Sequence, residues 1–182
     1  MNRTKLATFA GGCFWCTESI FLRLKGVIEV VSGFTGGTTP HPTYEQVCSG
    51  NTGHAESIQI TFDPTIISYE TLVEVFFKLH DPTTLNRQGA DSGPEYRSAI
   101  FYHSDVQKQT AYAVRDRIAD EGVYNDPIIT EIVQATEFYE AEDYHQDFYE
   151  NNKGSMYCSL VIDPKIKKLY KEFGSKVKEE FK

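Results

Sequence analysis

Hydrophobic and polar positions along the chain lay out an ordered set of short elements. "KLATFAGG" (5–12) reads as a strand ending in glycine, and "CFWCTESIFLRL" (13–24) as a helix closed by Gly26. Within that helix Cys13, Cys16, Ile20 and Leu24 fall near one stripe. "VIEVVSGF" (27–34) is a second strand, and "AESIQITFD" (55–63) a third with clean two-residue alternation. "SYETLVEVFFKLHD" (68–81) has the apolar spacing of an amphipathic helix beginning at a Ser cap. "SAIFYH" (98–103) is the next strand. A charged helix (105–121), a strand near 128–137, a short helix near 141–151 and a lysine-rich final helix (164–181) follow. Strand-helix-strand, strand-helix-strand is the order of a ferredoxin-like βαββαβ core, an α+β two-layer sandwich with its helices on one face of a mixed sheet. Extra helices, an extra strand and long loops are expected around that core. No internal repeat, low-complexity tract or linker-like break appears, so residues 1–182 are expected to form a single domain.

Two connections are too long to be simple turns. One is Gly-, Thr- and Pro-rich and contains "TYEQVCSGNTGH"; the other is "PTTLNRQGADSGPEYR" (82–97). Loops beyond about a dozen residues in a compact domain are usually functional or disordered. Both carry aromatic, amide and acidic side chains, which favours function.

Charge and cysteine usage narrow the classes. A net charge of −8 gives no electrostatic case for nucleic acid or an anionic membrane. No apolar run approaches the ~20 residues needed to cross a bilayer, and "MNRTKLATFAGG" enters a strand without a long apolar signal core. The expected compartment is the cytoplasm, where four cysteines are more often reactive or metal-binding than tied in structural disulfides.

The stretch "FAGGCFWCTE" (9–18) concentrates that question. Cys13 would stand where a strand meets the first turn of a helix, where unpaired N–H groups and the positive end of the helix dipole lower a thiol's pKa. Gly11 and Gly12 would allow a tight turn and leave the sulfur accessible. A small buried, inert cysteine is the plain alternative. Phe14 and Trp15 could be ordinary core, or could line an apolar slot for a methyl group beside a reactive sulfur. Glu18 complements the helix dipole and is given no chemistry. A zinc site is disfavoured because Cys48, His54, His145 and Cys158 offer no second paired spacing to match Cys13 and Cys16. A thioredoxin-like disulfide exchanger using Cys13 and Cys16 stays open, as does a binding module that uses only the aromatic slot. The long loops offer Tyr44, Asp91 and Tyr96, and Glu56 stands at the entry to the third strand. Exposed, Glu56 would be an edge carboxylate; buried, its pKa would rise and it could serve as a general acid. Tyrosine hydroxyls can donate to an oxygen gaining negative charge.

Taken in order, "GCFWCTE", "SGFTGG", "YEQVCSGNTGHAE", "LNRQGADSGPEYRS", "AEDYHQDFY" and "YCSLVIDPK" resemble the peptide methionine sulfoxide reductase A family over nearly the whole chain. The resemblance implies reduction of the S-epimer of methionine sulfoxide, free or in proteins, with thioredoxin as electron source and no metal or organic cofactor. It implies Cys13 as nucleophile, Phe14 and Trp15 as the methyl pocket, Glu56 as proton donor, and Tyr44 and Tyr96 as hydroxyls around the sulfoxide oxygen. Asp91 would help hold the substrate main chain. The family often has Gln where this chain has Glu95, and Thr or Ser where it has Pro94; those departures are expected to alter the loop and not the reaction. A sulfenic acid left on Cys13 would condense with a second thiol, for which Cys158 is preferred over Cys16 and Cys48 is weakest.

Overall fold

The computed structural model describes residues 3–182. Its centre is a six-stranded sheet in the order β7-β6-β1-β3-β2-β8. Strands β1 (Lys5–Gly11), β3 (Ala55–Phe62), β2 (Val27–Thr35) and β6 (Ser98–Tyr102) form antiparallel neighbours, while β7 (Glu131–Gln134) adds in parallel beside β6 and β8 (Tyr139–Glu140) adds beside β2. With helices α1 (Phe14–Phe21) and α3 (Tyr69–Leu79) as the two crossovers, this is the expected βαββαβ core. The added pieces are α2 (Tyr44–Cys48), a two-stranded ribbon of β4 (Arg87–Gln88) and β5 (Asp91–Ser92), α4 (Asp105–Asp120), α5 (Phe148–Asn151) and α6 (Asp163–Phe173).

Two-residue alternation sorts the central strand. Ala7 and Phe9 of β1 belong to the main core, where Phe9 stacks on Phe76 of α3 (centroids 5.1 Å apart) and meets Phe21 of α1 at 5.5 Å. Ala10 turns the other way into a smaller cluster with Ala55, Ala99 and Phe101. Each fully buried Phe contributes roughly 1.5–3 kcal/mol of transfer free energy, so the aromatic layer between sheet and helices is the main adhesive. Ser68 caps α3 as its sequence implies, accepting the Thr71 N–H at 3.0 Å.

Several boundaries differ from the sequence reading. Helix α1 starts after Cys13 and ends at Phe21 rather than Leu24, and it is buried almost all round, sandwiched between sheet and C-terminal segment. The final helix stops at Phe173 instead of running to 181. Beyond it, buried Val177 forms a bridge with Leu24, so tertiary pairing overrides helical continuation. The short helix near 141–151 is two pieces, a 3-10 turn at Asp143–His145 and α5, divided by Asp147 in the left-handed region (φ 52°). No helix among the described residues is long and apolar enough to cross a membrane.

Candidate active site

Strand β1 delivers the chain to a turn at Gly11-Gly12, and Cys13 follows as the residue that caps α1. Gly12 has φ +90°, and a Cβ there would lie 2.5 Å from the Gln88 side chain, so only glycine lets the β4–β5 ribbon close over the turn. Gln88 holds that ribbon down by accepting the Asp81 N–H (3.0 Å) and donating to the Asp81 carbonyl (2.9 Å).

Cys13 is buried, 7% exposed, in one apolar cluster with Cys16 and Cys158. This corrects two expectations: the sulfur is not openly accessible, and its pKa is not lowered. A hydrogen bond with Cys16, burial, and the negative charge available on Cys16 and Glu56 all push the Cys13 thiol up. Cys16 is held lower by receiving that hydrogen bond, against the cost of its own burial and with help from the Lys165 charge. The titration of the two thiols belongs to the pair. The Tyr157 hydroxyl stands 3.9 Å from the Cys16 sulfur.

Glu56 is the second residue of β3, and the β1–β3 register brings it alongside the end of β1. It is 1% exposed, and its Oε2 accepts the Phe14 N–H at 3.0 Å, tying the carboxyl to the first turn of α1. Burial pushes its pKa up to about 8, opposed by that N–H and reinforced by Asp91, Glu95 and Cys16. At neutral pH the carboxyl therefore carries its proton. Tyr44 opens α2 behind a Thr43 capping box, and its ring stacks on Phe14 (6.2 Å, 21°). Tyr96 ends a 3-10 turn from Pro94. Both hydroxyls are pushed above the ordinary range first by burial and then by the charge of Glu56. Asp91, half-buried in the ribbon, is likewise raised by burial. Eight of the nine sequence-picked residues thus gather around the start of α1, and Cys158 joins them from the C-terminal segment.

The aromatic wall is larger than the sequence showed. Trp15 stacks face to face on Phe148 (3.8 Å, 7°) and meets Tyr157 edge-on at 5.6 Å. Phe148 is held by Glu18, whose two oxygens accept the Asp147 N–H (2.9 Å) and the Phe148 N–H (3.3 Å). Glu18, expected only to complement the helix dipole, is thus a buried clamp, and burial raises its pKa to about 7. Glu95, Tyr157 and Phe148 escaped sequence reasoning as site residues. Glu95 is 4% exposed with Oε2 lacking a hydrogen-bond partner, and its charge contributes to the raised pKa of Glu56. Its position in the loop "SGPEYRS" was visible, but nothing local signalled that it folds inward. Among the described residues no group of three or more His, Cys, Asp or Glu is placed to hold a metal ion.

The arrangement pairs a soft sulfur nucleophile with a neutral acid and two hydroxyl donors beside an apolar wall. It suits a substrate whose oxygen must be protonated while its neighbour is attacked. The family model for peptide methionine sulfoxide reductase matches residues 5–177. A peptide methionine sulfoxide reductase MsrA 1 of Rhodopirellula baltica is 53% identical over 174 residues, covering 96% of this chain and 90% of that protein. The corresponding enzyme of Sulfolobus acidocaldarius is 54% identical over 172 residues, covering 94% of this chain and 97% of the relative. Among solved structures, reduced Mxr1 of Saccharomyces cerevisiae superposes with a TM-score of 0.77 at 34% identity, covering 85% of this chain and 89% of that one. Mxr1 in complex with Trx2 gives a TM-score of 0.56 at 26% identity, covering 78% and 84%.

Proposed function

This chain belongs to the peptide methionine sulfoxide reductase family, and from that premise we propose that it reduces the S-epimer of free and protein-bound methionine sulfoxide through Cys13. The observation that carries the reading is the buried, proton-bearing Glu56 tied to the Phe14 N–H, one residue from the Cys13 thiol. A sulfoxide sulfur is a poor electrophile until its oxygen is protonated, so thiolate and neutral acid must coexist. In the resting pair the proton is held on Cys13 while Cys16 has the lower pKa, so Cys13 becomes the nucleophile only as its proton is drawn off with substrate in place.

Phe14 and Trp15 take the methyl group, Asp91 steadies the substrate main chain, and Tyr44 and Tyr96 donate to the sulfoxide oxygen. The Cys13 thiolate attacks and the oxygen, with a proton from Glu56, ends on the Cys13 sulfur. Methionine leaves reduced by two electrons and Cys13 is oxidised by two, to a sulfenic acid. The Cys158 thiol displaces that hydroxyl as water, forming a disulfide that a thioredoxin dithiol then reduces. Packing of Cys158 in the same apolar cluster as Cys13 favours it over exposed Cys48. The whole chain acts as one catalytic domain, repairing oxidised proteins in the cytoplasm.

The test is turnover of the two methionine sulfoxide epimers with dithiothreitol as reductant. Consumption of the S-epimer alone is expected, and equal use of both or neither would refute the assignment. The hydrogen-bonded Cys13–Cys16 pair also suits a general thiol–disulfide exchanger, which would reduce insulin disulfides and keep doing so after Glu56→Gln.

A further inference from the structure

The segment "AEDYHQDFY" (141–149) contributes a histidine that none of the chemistry above uses. The Trp15 indole N–H donates to Nδ1 of His145 at 3.1 Å. An indole nitrogen can only donate, so Nδ1 is the unprotonated nitrogen and the ring proton resides on Nε2. That Nε2 is buried without a hydrogen-bond partner, aimed toward Glu142 Oε2 at 3.7 Å. His145 is 0% exposed, and burial holds its pKa below the ordinary histidine value. A neutral imidazole, unlike an imidazolium, has the lone pair the indole requires.

The histidine is itself fixed from every side. Its ring lies 4.4 Å from the Tyr44 ring, 5.2 Å from Phe14 and 4.0 Å from Tyr144. On one flank Glu142 accepts the Tyr44 N–H at 3.2 Å. On the other, the Gln146 side chain pairs with the Ser32 backbone, accepting its N–H and donating to its carbonyl, both at 2.9 Å. The imidazole is thus anchored to β2 and α2 while holding the one polar atom of Trp15.

We propose that His145 is a positioning residue for the reduction: its Nδ1 fixes the plane of the Trp15 indole, so that the wall receiving the substrate methyl is preformed. The proposal rests on the reading of Trp15 as that wall. Trp15 is the only tryptophan of the chain, so intrinsic emission reports on this one ring, independently of turnover.

Three variants separate the acceptor from the bulk of the ring. His145→Leu removes the acceptor, His145→Gln moves it towards the Nε2 position, and His145→Asn restores an acceptor oxygen near Nδ1. Thermal unfolding establishes which variants fold, and His145→Gln serves if His145→Leu does not. Leu and Gln are expected to shift the tryptophan emission maximum and to raise KM for N-acetyl-methionine sulfoxide about three- to tenfold, the worth of one hydrogen bond. The kcat should stay within about twofold, and Asn should return both emission and KM toward wild type. Unchanged emission or unchanged KM in the Leu and Gln variants would overturn the proposal. So would a fall in kcat alone that Asn fails to restore, which would make His145 a proton-handling group. Absence of sulfoxide turnover in the wild-type protein would instead refute the reductase reading and the positioning role with it. Normal wild-type turnover with unaltered variants would refute the positioning role alone.

Discussion

Replacing Glu56 by Gln would separate two demands that burial makes on one carboxyl. As an acid it must hold a proton near neutral pH, which burial achieves by raising its pKa from 4.5 to about 8. Glu56→Gln cannot deliver that proton, and single-turnover reduction is expected to slow about a hundred- to ten-thousand-fold. In the wild type the same step should fall as pH rises through about 8, and this alkaline limb should vanish in the variant. The stability effect has the opposite sign. A carboxyl whose folded pKa is raised stabilises the fold below its unfolded value and loses that contribution as pH climbs through the folded one. Glu56→Gln, neutral throughout, should therefore gain stability relative to wild type as pH rises toward 8 and above, by roughly 4–5 kcal/mol in denaturant titration. An equal difference in stability at every pH would mean that the Glu56 pKa is the same in the folded and unfolded chain. Cys13→Ser is expected to fold normally and to lack sulfoxide reduction; residual turnover in the purified variant would move the nucleophile to another thiol.

At the scale of elements, the join between α1 and the turn before α5 is the weak point of the aromatic wall. Asp147 sits at φ 52°, and its N–H and that of Phe148 have Glu18 as their acceptor. Truncating Glu18 to Ala would leave both donors unmatched in a buried setting, at about 1–3 kcal/mol each. Urea unfolding of Glu18→Ala should show an unfolding free energy lowered by about 2–6 kcal/mol. The Phe148 ring, released from its 3.8 Å stack on Trp15, should also raise KM. Glu18→Gln, with one oxygen left to accept, should fall between. A Glu18→Ala protein as stable as wild type would show that water replaces the clamp.

Across the whole molecule, Cys158 comes from far along the chain to share one apolar cluster with Cys13 and Cys16, which makes it a candidate to resolve the oxidised sulfur. Cys158 opens a π-helical turn (Cys158–Ile162) leading into α6, and Tyr157 before it touches both Cys16 and Trp15. Single π-helical turns are poorly bonded and frequent at functional sites, so this turn is where the fold can give as Cys158 approaches Cys13. Peptide mapping after one equivalent of sulfoxide, without reductant, should find a Cys13–Cys158 bridge. A dominant Cys13–Cys16 bridge, with Cys158→Ser still recycled by thioredoxin, would reassign the resolving role to Cys16.

Local sequence was enough wherever local physics ruled. Short apolar runs bounded by glycines and polar turns placed β1, β2, β3 and β6 within a residue or so, because each is a strand buried over most of its length. The Ser68 cap fixed the start of α3, and the order of elements implied the sandwich. The residues gathered at the site could also be picked out, since cysteines, aromatics and acids crowd two long loops and one helix start. Tertiary structure alone decided their electrostatics. The helix start argued for a lowered Cys13 pKa, yet the hydrogen bond with Cys16 and burial, set by packing against the segment around Cys158, raise it. Glu56 had two readings until β1 and the loops closed over it, and Glu18 had a bland one until the 147–148 turn arrived more than a hundred residues later. Desolvation and hydrogen-bond partners depend on what the rest of the chain lays over a residue, and neighbours in sequence do not carry that information.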